Sequence, residues 1–304
     1  MRLINTRCPI CDCDGDYSEV YAGSFSEEDL NPQTFSARRL PDRRHYRIVR
    51  CNKDGLLRSD PVLEESATAL LYKESNFTYN EEIENLRLTY LRALRPVLFG
   101  LPKKAKILEV GCGNGFILKS LYDAGYRNVC GIELSRDAVS RADAEIGSRI
   151  VRDRLREGLF AKDSFDLIFF FQVFDHIYDP NGFLHLCYDL LVTGGQILSF
   201  NHDADNFAVK ILGKKHPIID IEHTYLYGRK TLRQVFEKNG FHPVKISSPA
   251  DYISFRHLLW LFPVSGGLKD KLLGAENKIL RALLRKRIKI RLGNLCLTAV
   301  KQGS

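Results

Sequence analysis

The sequence predicts an α/β protein: a mostly parallel sheet with helices on both faces, preceded by a small β-rich module. From residue 105 onward, short apolar runs alternate with runs of helical spacing, as in parallel sheets covered on both faces. Residues 1–62 instead hold four of the eight cysteines and show no long helical period. We therefore predict a cysteine-rich module over 1–62 and an α/β domain over 63–304, since 304 residues suffice for about two domains.

The predicted elements follow one another in a regular order. A first helix is predicted over 80–99, where apolar residues recur every three or four positions before Gly100 and Pro102. Strands are predicted at 105–111, 127–134, 165–173, 196–201, 242–247 and 291–302, and further helices at 116–125, 135–146, 181–195 and 228–241. Ser135 is the expected N-cap of the helix that it begins.

The composition is that of an ordinary globular protein, with 44% hydrophobic and 27% charged residues. No apolar run approaches the ~20 residues that a membrane-spanning helix needs. The N-terminal residues contain no apolar core followed by a small-residue cleavage site. These observations predict a cytoplasmic protein.

The net charge of +8 is concentrated in one segment. Residues 269–291 contain nine Lys or Arg and two acidic residues, which leaves the rest of the chain nearly neutral. We predict a basic helical insertion over 252–291, with one apolar stripe. It has three open interpretations: a docked helix with a solvated basic face, a lid that attracts an acidic acceptor, or a peripheral contact with an anionic membrane. Nucleic acid is not favoured, because the basic residues lie in one helix without interleaved aromatics.

A glycine-rich loop, EVGCGNG at 109–115, stands between a predicted strand and a predicted helix. Glycines there let the turn tighten and let a ligand approach the backbone. A dinucleotide loop would need glycine at position 116, where this chain has Phe116, so a nicotinamide or flavin cofactor is least favoured. Glu133 ends the next strand, where an acid can accept hydrogen bonds from ribose hydroxyls. The sequence favours a ribose-containing ligand over a tight turn that binds nothing.

The run ILEVGCGNG resembles the first motif of the class I S-adenosyl-L-methionine (SAM)-dependent methyltransferases. The resemblance continues in order through GIEL (131–134), DSFDLIFFFQVFDHIYDP (163–180), LLVTGGQIL (190–198) and TLRQVFEKNGF (231–241). It covers about residues 80–250. It implies a Rossmann-like, seven-stranded, mostly parallel sheet and methyl transfer from SAM.

The resemblance also implies a set of residues that bind SAM: Glu109, Gly111, Gly113, Gly115, Glu133, Leu134, Asp153 and Gln172. Among them, Glu109 would lie beneath the ammonium group, and the three glycines would pass close to the methionine part. Glu133 would hold the ribose hydroxyls, with Leu134 near the adenine. Asp153 would face the adenine amine, and Gln172 would contact the methionine portion.

Two histidines are candidate catalytic bases. Methyl transfer is an in-line displacement, so much of its catalysis is positioning. A base is needed only if the acceptor must lose a proton. His176 and His223 fall on loops that, in folds of this kind, face the acceptor. Asp175 stands where related sequences often have Glu, and a structural role is the alternative for each histidine.

The N-terminal cysteines suggest a metal site. CPIC places two residues between Cys8 and Cys11, and Asp54 stands three positions after Cys51. The pattern resembles N-terminal zinc modules found on some carbohydrate- and natural-product-modifying methyltransferases, with Asp54 in place of the last cysteine. Zinc accepts carboxylate oxygen at about 2.0–2.2 Å. We expect structural Zn²⁺ held by Cys8, Cys11, Cys51 and Asp54, with Cys13 as an alternative fourth ligand and a metal-free remnant as the alternative to zinc.

Together these patterns predict SAM-dependent methyl transfer to a small-molecule or glycan acceptor, such as an acidic sugar nucleotide. One alternative is an RNA methyltransferase. Another is a protein that binds SAM without turnover. The identity of the acceptor atom stays open.

Overall fold

The computed structural model describes residues 2–36, 42–75, 82–261 and 282–303. The strands are β1 (Leu3–Ile4), β2 (Tyr17–Tyr21), β3 (Ile48–Cys51), β4 (Leu57–Ser59), β5 (Val62–Leu63), β6 (Lys106–Val110), β7 (Asn128–Ile132), β8 (Ile150–Val151), β9 (Phe165–Phe171), β10 (Leu191–His202), β11 (Tyr225–Leu226), β12 (Phe241–Ser247), β13 (Asp251–Ser254), β14 (Arg287–Ile290) and β15 (Asn294–Lys301). The α-helices are α1 (Glu65–Glu74), α2 (Ile83–Leu98), α3 (Phe116–Asp123), α4 (Arg136–Ser140), α5 (Ala144–Gly147), α6 (Pro180–Leu190), α7 (Phe207–Leu212), α8 (Arg229–Lys238) and α9 (Phe255–Leu261).

A seven-stranded sheet forms the centre of the described chain, in the order β12-β15-β10-β9-β6-β7-β8. The five strands from β10 to β8 are parallel to one another, and β15 is antiparallel to both β10 and β12. The predicted Rossmann-like, mostly parallel sheet is therefore confirmed. Its chemical basis is the apolar character of the inner strands, which have no face toward water.

Strand β9 shows how the sheet is covered on both sides. Its side chains alternate between two separate apolar clusters, with Ile168 and Phe170 in one and Leu167, Phe169 and Phe171 in the other. Helices α6 and α8 supply apolar residues to the first cluster, and α2 and α3 to the second. Because successive side chains of a strand point to opposite faces, β9 packs against helices on both sides of the sheet.

Several predicted elements differ from the structure in their bounds. The helix predicted over 135–146 is two short helices, α4 and α5. Ser135 caps α4 as predicted, by accepting a hydrogen bond from the amide of Ala138, and the side chain of Asp143 then starts α5. The helix predicted over 181–195 ends at Leu190, because the next residues, including two glycines, turn into strand β10. Strand β8 was not predicted, since two residues carry no periodic signal.

The insertion predicted as helical over 252–291 is strand at both ends. Strands β13 and β14 pair antiparallel, with Ile253 opposite Ile288. The alternation of apolar and polar residues in RIKI is typical of a strand. The prediction assigned it to a helix because the residues next to it have helical spacing. Helix α9 lies between these ends, and residues 262–281 lie outside the described residues. The three interpretations of the basic segment stay predictions.

The N-terminal strands form a smaller antiparallel sheet in the order β11-β4-β3-β2, to which β11 comes from more than 160 residues along the chain. The amide of Ser59 donates to the carbonyl of Thr224 (2.9 Å), and its hydroxyl donates to the carbonyl of His223 (2.7 Å). The cysteine-rich segment is thus bonded directly to the loop that carries His223.

Within the described ranges, none of the helices combines the length and apolar character required to cross a membrane.

Candidate functional site

A cavity of about 1230 Å³ lies at the carboxyl edge of the parallel strands. It is lined by the glycine loop after β6, by the ends of β7 and β9, and by the loops that carry His176 and His223. Ligand pockets typically measure about 300–1,000 Å³, so this cavity has room for two ligands side by side. Seven of the eight predicted SAM-binding residues line it, namely Glu109, Gly111, Gly113, Glu133, Leu134, Asp153 and Gln172.

The glycine loop turns through backbone conformations that other residues rarely adopt. Gly111 has a φ of +71°, and a Cβ atom there would lie 2.4 Å from Cγ2 of Val173. Gly113 has a φ of +56°, and its amide donates to Oε2 of Glu133 at 2.8 Å. Gly115 does not line the cavity: it precedes α3, and a Cβ atom there would lie 2.6 Å from Ile146. Its role in the structure is to allow close packing of α3.

Two carboxylates lie beside this loop with different surroundings. Glu133 accepts from the amides of Gly113 and Ser135, each at 2.8 Å. Glu109 is buried, and its Oε2 has no hydrogen-bond partner among the described residues. Burial, together with the negative charge of Glu133, raises the pKa of Glu109 well above its ordinary value. Glu109 therefore has an acceptor oxygen available for a positively charged ligand group.

Gln172 offers a second unmatched acceptor. It has a φ of +55°, its side-chain amide donates to Asn294 at 3.0 Å, and its Oε1 has no hydrogen-bond partner among the described residues. Asp153 lines the cavity, but it is bound to Arg156 at 2.9 Å. That ion pair, with the amide of Arg154, lowers the pKa of Asp153. Buried acceptors without partners next to a glycine loop fit the ammonium and polar groups of SAM.

Two histidines that line the cavity, His176 and His223, form a cluster with the buried Asp175, which we call the histidine cluster. One carboxylate oxygen of Asp175 lies 3.7 Å from Nε2 of His176, and the other lies 3.7 Å from Nε2 of His223. Only 2% of Asp175 is exposed, and neither of its carboxylate oxygens has a hydrogen-bond partner among the described residues. Burial raises the pKa of Asp175, and a positive charge on His223 would oppose that shift.

Outer partners fix both rings of the histidine cluster. Nδ1 of His176 lies 2.9 Å from the hydroxyl of Tyr72, which donates to Glu222 at 3.1 Å. Nδ1 of His223 lies 2.8 Å from the carbonyl oxygen of Ile218. Sequence reasoning missed Tyr72 and Glu222. Glu222 directly precedes a candidate base and could have been suspected, whereas Tyr72 lies 104 positions from its partner and has no local signal.

The N-terminal cysteines and Asp54 form a second cluster, which we call the thiol cluster. Its ligand atoms, from Cys8, Cys11, Cys51 and Asp54, all lie within 4.8 Å of one another. Two turns bring them together: the amide of Asp12 donates to the carbonyl of Cys8, and the amide of Gly55 donates to that of Cys51. Cys13 is not part of this group.

Asp54 is the centre of the thiol cluster. Its Oδ2 accepts from the thiols of Cys8 (2.9 Å) and Cys51 (3.1 Å), and its Oδ1 accepts from the amide of Leu56 (2.9 Å). Although burial opposes it, these hydrogen bonds hold the pKa of Asp54 below its ordinary value. Burial, with the nearby Asp54, raises the pKa of Cys8. Three sulfurs and one carboxylate oxygen are a donor set that suits zinc.

Comparison with known proteins gives concordant results. A family profile described as "Methyltransferase domain" matches residues 79–246. The ubiquinone biosynthesis O-methyltransferase of Ralstonia nicotianae is 29% identical over 170 residues, which cover 52% of this chain and 69% of that protein. The enzyme of the same name from Psychrobacter cryohalolentis is 27% identical over 162 residues, covering 49% and 62%. The chain thus spans about two thirds of the length of these relatives, or slightly less.

Two solved structures resemble the fold. A SAM-dependent methyltransferase from Archaeoglobus fulgidus has a TM-score of 0.50 and 19% identity, covering 73% of this chain and 99% of that one. A chain from the complex of the Haloferax volcanii Trm112 methyltransferase activator with a methyltransferase has a TM-score of 0.51 and 17% identity, covering 74% and 93%. At such identities the likeness concerns the fold alone.

Proposed function

The chain belongs to the class I SAM-dependent methyltransferases, and we propose that it methylates a hydroxyl group of a small-molecule acceptor bound at the histidine end of the cavity. The observation that carries this proposal is the meeting of unmatched acceptor oxygens on Glu109 and Gln172 with the histidine cluster around one cavity. The names of the similar curated proteins support oxygen as the methylated atom.

The cofactor half of the cavity would act by binding and orientation. SAM, when bound, supplies a methyl group on a positively charged sulfur. Oε2 of Glu109 would accept from its ammonium group, and Oε1 of Gln172 from the same end of the ligand. Glu133, already held by two backbone amides, would accept from the ribose hydroxyls, with Leu134 beside the adenine. The ion pair of Asp153 with Arg156 makes Asp153 a weaker contact.

The half of the cavity that holds the histidines would remove a proton from the acceptor. A hydroxyl is a poor nucleophile, and it must lose its proton as the methyl group arrives. We assign this task to His176 and His223, which line the cavity, with the buried Asp175 behind them at 3.7 Å from each ring. The proton leaves the acceptor oxygen, that oxygen bonds to the methyl carbon, and the carbon–sulfur bond breaks with its electron pair on sulfur.

Basic residues on the cavity wall support an acidic acceptor, such as a phosphorylated sugar or a sugar nucleotide. Arg154, Arg156 and Arg256 line the cavity. Arg154 is paired with Glu65, which also lines the cavity (2.8 Å), and exposed pairs of this kind exchange partners at little cost. A phosphate group could therefore take the place of a carboxylate. A sugar-nucleotide acceptor would also agree with the resemblance of the N-terminal segment.

We also propose structural Zn²⁺ in the thiol cluster, held by Cys8, Cys11, Cys51 and Asp54. The cluster supplies four ligand atoms from protein, which is the arrangement of structural rather than catalytic zinc. Zinc binding would deprotonate the thiols that now donate to Asp54. The buried apolar residues of 1–62 pack in clusters shared with later parts of the chain, so the segment would gain stability from a cross-link of its own.

The cofactor proposal is tested by SAM binding to Glu109→Gln, measured by calorimetry. We expect the dissociation constant to rise about 10- to 100-fold, because the charged partner of the ammonium group is lost. Asp153→Asn is the control and should change it less than about threefold, since Asp153 is engaged with Arg156. Equal effects of the two variants would overturn the assignment.

The activity is tested by incubating the protein with methyl-labelled SAM and separate small-molecule, glycan and RNA fractions of a cell extract. Label in the small-molecule or glycan fraction, lost in His176→Ala with SAM binding unchanged, is the expected result. Label confined to RNA would refute the acceptor class. SAM binding without label in any fraction would indicate a binding protein without turnover.

A further inference from the structure

We propose that Asp175, His176 and His223 ligate a divalent transition-metal ion, and that this ion binds the acceptor hydroxyl. The inference rests on the proposed methyl transfer and refines the part of the two histidines in it. They promote loss of the acceptor proton as metal ligands rather than as free bases. The site is separate from the thiol cluster, and its cation is of catalytic type.

The first step is the protonation state of His223. Its Nδ1 lies 2.8 Å from the carbonyl oxygen of Ile218, which can only accept a hydrogen bond. Nδ1 therefore carries a proton. In the neutral ring, Nε2 then has a lone pair, and this atom lies 3.7 Å from the carboxylate of Asp175.

His176 is held in the same state by a longer chain of partners. The hydroxyl of Tyr72 donates to Glu222 at 3.1 Å. The proton of this hydroxyl is therefore directed toward the carboxylate of Glu222. The oxygen of Tyr72 then accepts from Nδ1 of His176 at 2.9 Å, which leaves a lone pair on Nε2 of that neutral ring as well.

The two lone pairs and one carboxylate point at the same space. At 3.7 Å, neither nitrogen is within hydrogen-bond distance of Asp175, whose oxygens are buried and have no hydrogen-bond partner among the described residues. The ligand atoms of the three residues lie within 4.8 Å of one another, which is close enough for all three to bind one cation. An ion that lies about 2.0–2.2 Å from each ligand atom fits between atoms 3.7 Å apart.

The surroundings of the cluster agree with a metal site in two respects. Histidines that bind metals usually donate their other ring N–H to a carbonyl, a carboxylate or water. Here His223 donates to the carbonyl of Ile218, and His176 donates to the hydroxyl of Tyr72, which is bonded to Glu222. Two further carboxylates, Asp220 and Glu222, are buried close by and act together with Asp175 on Tyr72. This local negative charge favours a bound cation.

The ligand set indicates the kind of metal and its task. Two imidazoles and one carboxylate suit Zn²⁺, Fe²⁺ or Co²⁺ better than Mg²⁺, and three protein ligands leave a position open toward the cavity. An acceptor hydroxyl in that position becomes more acidic, so its proton passes to solvent before the oxygen bonds to the methyl carbon. The metal is neither oxidised nor reduced.

The test is the number of zinc ions held per chain after equilibrium dialysis against buffered Zn²⁺. We expect two in the wild-type protein, one in His223→Gln and one in Cys8→Ser. His185→Gln is the matched control, because His185 lines the same cavity outside the cluster, and it should keep two. Asp175→Asn provides a second variant if His223→Gln does not fold, and SAM binding reports folding in each case.

Co²⁺ substitution separates the two sites by spectrum. The thiol cluster should give intense sulfur-to-cobalt charge-transfer bands, whereas the histidine cluster should give only weak ligand-field bands. Loss of the ligand-field component alone in His223→Gln supports the proposal. An unchanged zinc count in both His223→Gln and Asp175→Asn overturns it. Because these measurements need no acceptor, they decide the metal site even where methyl transfer itself fails.

Discussion

The two clusters of the molecule are built around an aspartate in opposite ways. In the thiol cluster, Asp54 accepts hydrogen bonds from two thiols and one amide. In the histidine cluster, Asp175 accepts none from the described residues, and two ring nitrogens face it at 3.7 Å. Protons carried by the thiols satisfy the first aspartate when no metal is bound. The second aspartate has no thiol donor beside it, burial raises its pKa, and in our proposal a cation satisfies it.

The two clusters therefore resemble the two usual kinds of metal site, the structural and the catalytic. The thiol cluster supplies four ligand atoms and leaves no position for a substrate, as in closed zinc sites. The histidine cluster supplies three and lies on the wall of a cavity. Loss of a metal should therefore cost stability at the first cluster and turnover at the second.

The largest effect is expected on stability, when the thiol cluster loses a ligand. Cys8→Ser removes a buried ligand, and we expect loss of the zinc ion and a fall of at least about 3 kcal/mol in the free energy of unfolding. Urea unfolding followed by circular dichroism measures it, together with metal content. Cys13→Ser, which alters a cysteine outside the cluster, should change neither quantity. Equal losses in the two variants would contradict the ligand set.

The second prediction loosens the histidine cluster without removing a ligand. Tyr72→Phe keeps the ring that packs edge-to-face on Phe35 but removes the oxygen that fixes His176. Affinity of the histidine cluster for Zn²⁺ should fall about 10- to 100-fold, as outer-partner changes do. Competition with a chromophoric chelator measures it. Tyr126→Phe, which loses a hydroxyl bonded to Leu98 far from either cluster, should leave the affinity unchanged.

The third prediction sharpens the role of Asp54. Asp54→Cys restores a fourth sulfur, and thiolate is a softer ligand than carboxylate, so zinc affinity of the thiol cluster should rise about tenfold. Asp54→Ala should lower it. Zinc titration of both variants in the presence of a competing chelator provides the comparison. If Asp54→Ala binds zinc like the wild type while Cys13→Ser does not, Cys13 is the fourth ligand.

The smallest expected effect concerns the loop before His223. Burial lowers the pKa of His216 to about 4, from about 6.5 in the unfolded chain. The stability that the neutral ring contributes is present above pH 6.5 and is lost as the pH falls toward 4. Between pH 7 and pH 5 we expect about 1 kcal/mol of destabilisation from this group, since partial exposure screens the charge. His216→Gln should remove that share of the pH dependence in thermal melts. An unchanged pH dependence would contradict the assignment.

Local sequence patterns were informative wherever the structure is local. The alternation of strand and helix, the glycine loop and the two turns of the thiol cluster each lie within a few residues, and each was predictable. The histidine cluster combines positions 175, 176 and 223 with partners at 72 and 222, and no periodicity links them. The paired strands β13 and β14 were missed because four alternating residues are a weak signal beside the longer run of helical spacing next to them, and their pairing spans more than 30 residues.

Strand β11 connects the thiol cluster and the histidine cluster through backbone hydrogen bonds. It pairs with β4, which follows the turn that holds Asp54, and Ser59 at the end of β4 binds the carbonyls of His223 and Thr224. The amide of Thr224 in turn donates to the carbonyl of Asp175. If metal binding at one cluster changes the affinity of the other through these bonds, thermodynamic linkage requires the reverse effect to be equally large.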